Sequence, residues 1–387
     1  MCSGRLSVDD DLFMWAPVFF VLIVCRYKQN DHCSHKCAFS VGISESTLLV
    51  LVSVYVRRSF PPITFEGTTM KQHHENQHHE NQHRETGAQM LIYFSPDFVV
   101  DGGFDTISKA GELAHLLTVN PIAGTEVVSP APATRNDIVA VHDESYVDQV
   151  LNGRGGQFSG DDESATSVLA TTGGVLRAVE AALENGGCAG SLSSGLHHAK
   201  YDSSSGFCTF NGLVIGARRA LKLGARRVLI LDLDAHCGGG TKELIGLLRD
   251  QNIDGIEQVD VSVSSFDRYH NASFAQLKIV GASEYLPTIE QSLSDIADPQ
   301  SIDLVIYNAG MDPHEKAGGV TGINNEVIRR REAMVFEWAK SHNLPIVWVL
   351  AGGYSGESFT KRDVAALHRI TAEEAARVYV QVATSET

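Results

Sequence analysis

From Met90 onward, short apolar runs rich in valine, isoleucine and leucine alternate with longer stretches whose apolar positions repeat at helical spacing. VLILDLD (228–234), QVDVSVSS (258–265), DLVIYNAG (303–310) and PIVWVLAGG (345–353) have strand length and β-branched content. Between them, VLRAVEAALENGG places Val175, Leu176, Val179, Ala182 and Leu183 on one helical face and stops at Gly186 and Gly187. NGLVIGARRALKLG does the same and stops at Gly224. Strands that are apolar throughout, separated by helices, predict a single α/β domain: a mainly parallel open sheet with helices on both faces.

The first 89 residues follow no such period. They hold apolar runs from Leu12 to Cys25 and from Thr47 to Val56, then the polar repeat HHENQHHENQHRETG. The first run is shorter than the roughly 20 residues that span a bilayer and follows three aspartates rather than a basic segment, so no membrane anchor is expected. The histidine tract reads as a solvated linker. DHCSHKC (31–37) lacks a second ligand pair at zinc-finger spacing. The expected division is an extension over 1–89, disordered or arising from a misplaced start, and a catalytic domain over 90–387.

Composition narrows the partners. With 31 basic against 47 acidic residues, the formal charge of −16 repels phosphate backbones and anionic lipid, so direct nucleic-acid binding is not expected. Seven scattered cysteines do not form a disulfide framework and fit a reducing, cytoplasmic setting. The sequence leaves self-association as a homo-oligomer open.

The chemistry lies where the strands end. In open parallel sheets, ligands bind beyond the carboxyl ends of strands. VLIL is followed there by Asp232, Asp234 and His236, DLVIYNAG by Asp312 and His314, PIVWVLAGG by Tyr354, and CAGSLSSG by His197 and His198. Buried carboxylates without partners cost on the order of several kcal/mol each, and a divalent cation would offset that cost. Strand alternation turns Asp232, Asp234 and His236 to one side and Cys237 away. Asp234, His236 and Asp312 then make a two-carboxylate, one-imidazole donor set with room for water, as catalytic zinc requires. Iron, manganese and cobalt suit the same donors.

In GLHHAKYDSSSGFCTFN, LDLDAHCGGGT, YNAGMDPH and LAGGY, with weaker similarity in AVHDESYVDQVL, the chain resembles the histone deacetylase superfamily, including acetylpolyamine amidohydrolases, with the arginase-deacetylase fold. The resemblance covers roughly the last 250 to 290 residues, a normal span for one large α/β domain. It implies Zn2+ (or another divalent metal such as Fe2+) on Asp234, His236 and Asp312, tandem catalytic histidines His197 and His198, Asp232 orienting His197, and Tyr354 as the catalytic tyrosine. Gly206, Phe207 and Phe266 would line the slot for an acylated amine, acetyl-lysine or an acetylpolyamine. A monovalent cation (K+) would draw on Asp232, Asp234, His236 and Ser262. The expected reaction is deacetylation by a metal-bound water, with His198 as general base and acid and Tyr354 on the oxyanion. Alternatives are a non-catalytic relative that keeps the metal and binds acyl ligands or a protein, and an arginase-like hydrolase, which calls for a second metal and more aspartates.

Two departures stand out. Where the family carries a second histidine and, two residues on, an Asp or Asn, this chain has Cys237 and Gly239. Gly239 offers no side chain to brace His198, which leaves that imidazole to water or to another residue. The arginine-bearing motif that usually follows the first strand is also not evident in FSPDFVVDGGFDTISKAGELAHLL, which leaves the pocket entrance undefined.

Overall fold

The computed structural model describes residues 89–100, 105–154 and 162–380. The extension over 1–88, with its apolar runs and histidine tract, lies outside the described residues, so the expected domain boundary is untested. Eight strands are described: β1 (Met90–Tyr93), β2 (Thr125–Val128), β3 (Cys188–Ser194), β4 (Val228–Asp232), β5 (Ile256–Ser262), β6 (Ala275–Ile279), β7 (Leu304–Ala309) and β8 (Ile346–Leu350). They form one sheet in the order β2-β1-β3-β8-β7-β4-β5-β6, with every pair parallel. The helices are α1 (Asp105–Val119), α2 (Arg135–Ile138), α3 (Glu144–Leu151), α4 (Asp162–Asn185), α5 (Gly212–Lys222), α6 (Gly239–Asp250), α7 (Ala282–Ser294), α8 (Asn325–Ser341) and α9 (Lys361–Tyr379).

Because side chains alternate along a strand, each central strand feeds two cores. Leu229 and Leu231 of β4, Val305 and Tyr307 of β7, and Ile346 and Trp348 of β8 pack with apolar residues of α1, α7, α8 and α9. Val228 and Ile230, Leu304 and Ile306, and Val347 and Val349 face the other way, onto α4, α5 and α6. The doubly covered parallel sheet is thus as expected. The four-residue strands β1 and β2, and the five-residue β6, which is mostly not buried, complete its margins. Among the described residues, no helix is long and apolar enough to cross a membrane.

The helix ends follow local chemistry. Asn211 caps α5 by accepting from the Val214 N–H, and the helix gives way to Gly224 at φ +105°. Thr360 and Asp363 form a reciprocal capping box on α9.

The sheet order positions the site: β3, β8, β7 and β4 are consecutive neighbours, so the segments leaving their carboxyl ends converge. A buried ion pair fixes two of those segments from below. Arg331 of α8 is fully buried and donates to the carbonyls of Leu233 (3.1 Å) and Gly310 (2.7 Å), and it pairs with Glu332. Tyr307 donates to the same Glu332 carboxylate at 3.1 Å. Replacing Arg331 by Met would strand Glu332 without its cation. The expected result is a loss of about 3–5 kcal/mol in urea unfolding, of which Arg331→Met/Glu332→Gln recovers part. An unchanged midpoint for Arg331→Met would show that the pair carries no such weight.

Candidate metal centre

β4 ends at Asp232, one residue into the segment that carries the candidate ligands, so Asp234 and His236 stand on a loop rather than on a strand. Strand alternation is therefore not what aligns them, which corrects the sequence reading. The loop is folded by its own carboxylates: Asp232 Oδ1 accepts the Asp234 N–H (3.2 Å), and Asp234 Oδ1 accepts the His236 N–H (2.9 Å). The outcome is still convergence. Asp234, His236 and Asp312 each offer one donor atom, and these atoms all lie within 4.8 Å of one another. His236 Nδ1 is 3.2 Å from Asp234 Oδ1 and 3.0 Å from Asp312 Oδ2. Cys237 is buried with its thiol on the Ser264 carbonyl and is outside this group.

The set fits a divalent cation. Asp312 Oδ2 is buried without a hydrogen-bond donor, while Oδ1 is held by the Ala235 N–H at 2.9 Å. Asp234 Oδ2 accepts the Gly352 N–H at 2.6 Å. A Cβ at Gly352 would overlap the Asp312 carboxylate, so the backbone after β8 closes directly on Asp312. Burial alone would lower the pKa of His236, but the carboxylates of Asp234 and Asp312 outweigh it and hold the imidazole at about 11. Burial and the neighbouring Asp234 push the Asp312 carboxyl up. Positive charge is wanted at this point, and one nitrogen with two carboxylate oxygens is a donor set that zinc or iron accepts.

His197 and His198 follow β3 on a turn in which Leu196 adopts φ +57°. Their rings lie 4.0 Å apart and differ in surroundings. His197 Nδ1 is 2.7 Å from Asp232 Oδ2, and its Nε2 is 3.6 Å from Asp234 Oδ1. Against burial, Asp232 and Asp234 raise its pKa to about 10. His198 is pushed down to about 4 by burial and then by the charge of His197. Two adjacent imidazoles thus favour opposite protonation states, an arrangement suited to acid–base work.

Around them, Phe266 meets His198 edge-on at 4.9 Å and His236 at 5.7 Å, and is half exposed at 49%. Phe207, 37% exposed, has φ +62° and borders a small cavity of about 20 Å³ with Phe98 and Leu196. Gly206 has φ +53° and lies against the His198 ring, where a Cβ would meet Cγ at 2.8 Å. Ser262 donates to the His236 carbonyl at 3.0 Å. Tyr354 lies two residues beyond Gly352, packs over Gly318 and donates its backbone N–H to the Ala317 carbonyl. His314 stands apart from the metal group: Nε2 meets Asn325 Oδ1 at 3.0 Å and the ring stacks on Phe359, so it holds the loop after β7.

Several partners escaped the sequence reading. Asn308 of β7 donates to Asp232 Oδ1 at 2.9 Å. Asn211 donates to the His197 carbonyl at 3.2 Å, and its N–H is accepted by His142 Nε2 at 2.9 Å. Both asparagines lie inside motifs already singled out, so position marked them even though their contacts were not foreseeable. Lys109 of α1, fully buried, donates to the Ala351 carbonyl just before Gly352. Asp267, beyond β5, lies 2.9 Å from His198 Nδ1 and supplies the side chain that Gly239 cannot.

Comparison with known proteins places the family and the fold. The histone deacetylase domain model matches residues 104–274. The chain is 28% identical over 313 residues to a probable deacetylase of Methanothermobacter thermautotrophicus, covering 74% of this chain and 92% of that protein. It is 28% identical over 276 residues to histone deacetylase 2 of Arabidopsis thaliana, covering 66% and 70% respectively. It is 30% identical over 261 residues to an uncharacterized protein of Picosynechococcus, covering 62% and 82%. The crystal structure of the HDA15 HD domain superposes with a TM-score of 0.60 at 19% identity, covering 74% of this chain and 90% of that one. The fold is that of an α/β deacetylase domain. The chain belongs to the histone deacetylase superfamily, and its deacetylase relatives support a hydrolytic deacetylase activity.

Proposed function

We propose that the catalytic unit, residues 90–387, is a metal-dependent deacetylase that hydrolyses linear amides, removing acetyl or a longer acyl group from a lysine side chain or a polyamine-like amine. The observation that carries this reading is the buried Asp234–His236–Asp312 group beside two imidazoles of opposite charge preference. Asp234, His236 and Asp312 would hold a Zn2+ or Fe2+ ion, which when bound would supply Lewis acidity for the amide carbonyl and the attacking water.

The remaining work falls to the chain. With Nδ1 hydrogen-bonded to Asp267, His198 presents Nε2 to take the water's proton as oxygen adds to the carbonyl carbon. It returns that proton to the nitrogen as the C–N bond breaks, and the second proton of the water passes from the new carboxylic acid to the amine, giving a carboxylate and an ammonium. His197, whose Nδ1 is held by Asp232 Oδ2 at 2.7 Å, turns Nε2 toward the developing negative charge. The Tyr354 hydroxyl donates to the oxyanion, on a loop that Gly353, at φ +136°, allows to turn. Phe207 and Phe266 form apolar walls for the aliphatic chain of the acylated amine. The acidic surface favours cationic substrates.

The test is hydrolysis by metal-reconstituted protein of acetyl-lysine peptide and acetylated polyamines, alongside Tyr354→Phe. The wild type should release acetate, and Tyr354→Phe should lower kcat by about 100- to 1000-fold, the cost of one oxyanion donor. Tight binding of acylated amines with no turnover of any of them would replace this reading with that of a metal-retaining binding module.

A further inference from the structure

We propose that Asp267 is the positioning residue for His198, and that the chain supplies this carboxylate from the loop after β5 because position 239 is glycine. The inference rests on the amide-hydrolase reading above and names a residue of that machinery.

Asp267 Oδ2 lies 2.9 Å from His198 Nδ1 and also accepts the Gly240 N–H at 3.2 Å. Its Oδ1 accepts from Lys200 Nζ at 2.9 Å. Both carboxylate oxygens are therefore engaged, and the imidazole is fixed by a group that is itself fixed. With Nδ1–H donated to Asp267, the lone pair of His198 lies on Nε2, the nitrogen left to meet a reacting proton.

The glycine and the aspartate depend on each other. A Cβ at Gly239 would lie 2.6 Å from Asp267 Cγ, far inside van der Waals contact. Any side chain at 239 would drive Asp267 from its place, so the two positions form one arrangement.

The backbone points the same way. Asp267 has φ +56°, a left-handed turn conformation that aspartate tolerates better than most residues and that aims its carboxylate back toward His198. The Cys237 N–H donates to the Phe266 carbonyl at 3.0 Å and ties this turn to the metal-bearing segment. Phe266, whose ring meets His198 edge-on at 4.9 Å, is the preceding residue. One turn thus carries both a wall of the proposed slot and the brace of the proposed base, which couples slot occupancy to the alignment of His198.

The experiment uses the full chain, metal-reconstituted, with acetyl-lysine peptide, and reads kcat, KM, metal content and the ¹⁵N imidazole resonances of His198. Asp267→Asn should lower kcat about 10- to 100-fold, with KM within about twofold and metal content unchanged, and should turn the single Nδ1–H tautomer into a mixture. Gly239→Ala removes no polar group and should produce the same loss of kcat and of the tautomer lock. Asp267→Glu should recover part of both. Wild-type kcat with an undisturbed tautomer in Asp267→Asn, or wild-type behaviour of Gly239→Ala, would overturn the proposal. The resonances need no turnover: if the wild type hydrolyses no acyl amine but Asp267→Asn still releases the tautomer, the amide-hydrolase reading fails and the positioning role stands.

Discussion

Asp312→Asn is expected to abolish both metal retention and amide hydrolysis. The substitution keeps the size of the side chain, and its carbonyl oxygen can still accept the Ala235 N–H, so the fold beneath the site should persist. It removes one of the two carboxylate charges that hold the His236 imidazole up at about 11 and draw a cation into a buried position. A ligand lost outright costs more than an outer partner, whose removal is worth about 10- to 100-fold, so turnover should drop by more than 100-fold at any accessible metal concentration. Chelation of the wild type should give the same inactive state, reversed by Zn2+. Elemental analysis together with acetate release checks both. Full activity of Asp312→Asn, or of exhaustively chelated protein, would remove the metal from the mechanism.

The second large effect is expected for His198→Ala. His198 is the less basic of the two imidazoles, driven down by burial and by the charge of His197, so it stands neutral near pH 7, the form a general base requires. Losing a positioned general base lowers the rate by about 100- to 10,000-fold. The metal group is untouched, because none of its three residues relies on His198 for a hydrogen bond. The expected pattern is a kcat reduced on that scale, with metal content and KM near wild type. A variant that instead loses metal, or that raises KM with kcat intact, would assign His198 to structure or to substrate binding.

Much of the site was legible because parallel strands are apolar until they end. A run such as VLIL or DLVIYNAG is buried on both faces, so the polar residue that follows marks the carboxyl edge where ligands gather. That rule exposed Asp232, Asp234, His236, Asp312, His197, His198 and Tyr354, and all lie beyond β3, β4, β7 and β8 except Asp232, the last residue of β4. It also drew in His314, which serves the loop after β7 through Asn325 and Phe359. The route to this cluster was partly wrong: Asp234 and His236 face the same centre through hydrogen bonds between side chain and backbone in a loop, which happen to repeat the two-residue spacing of a strand.

The sequence by itself determined the fold class, the strands that end in chemistry, and the residue types able to grip a cation, because hydrophobic period and strand-end polarity are local properties. Only the tertiary structure decided that β3, β8, β7 and β4 lie side by side, that Arg331 ties the loops after two of them, and that Asp267 braces His198. Those are contacts between residues 21 to 98 positions apart or between strands whose order no local period encodes. Gly239 shows the difference most plainly. In the sequence it is a missing side chain; in the fold it is the space that a carboxylate from another strand end fills.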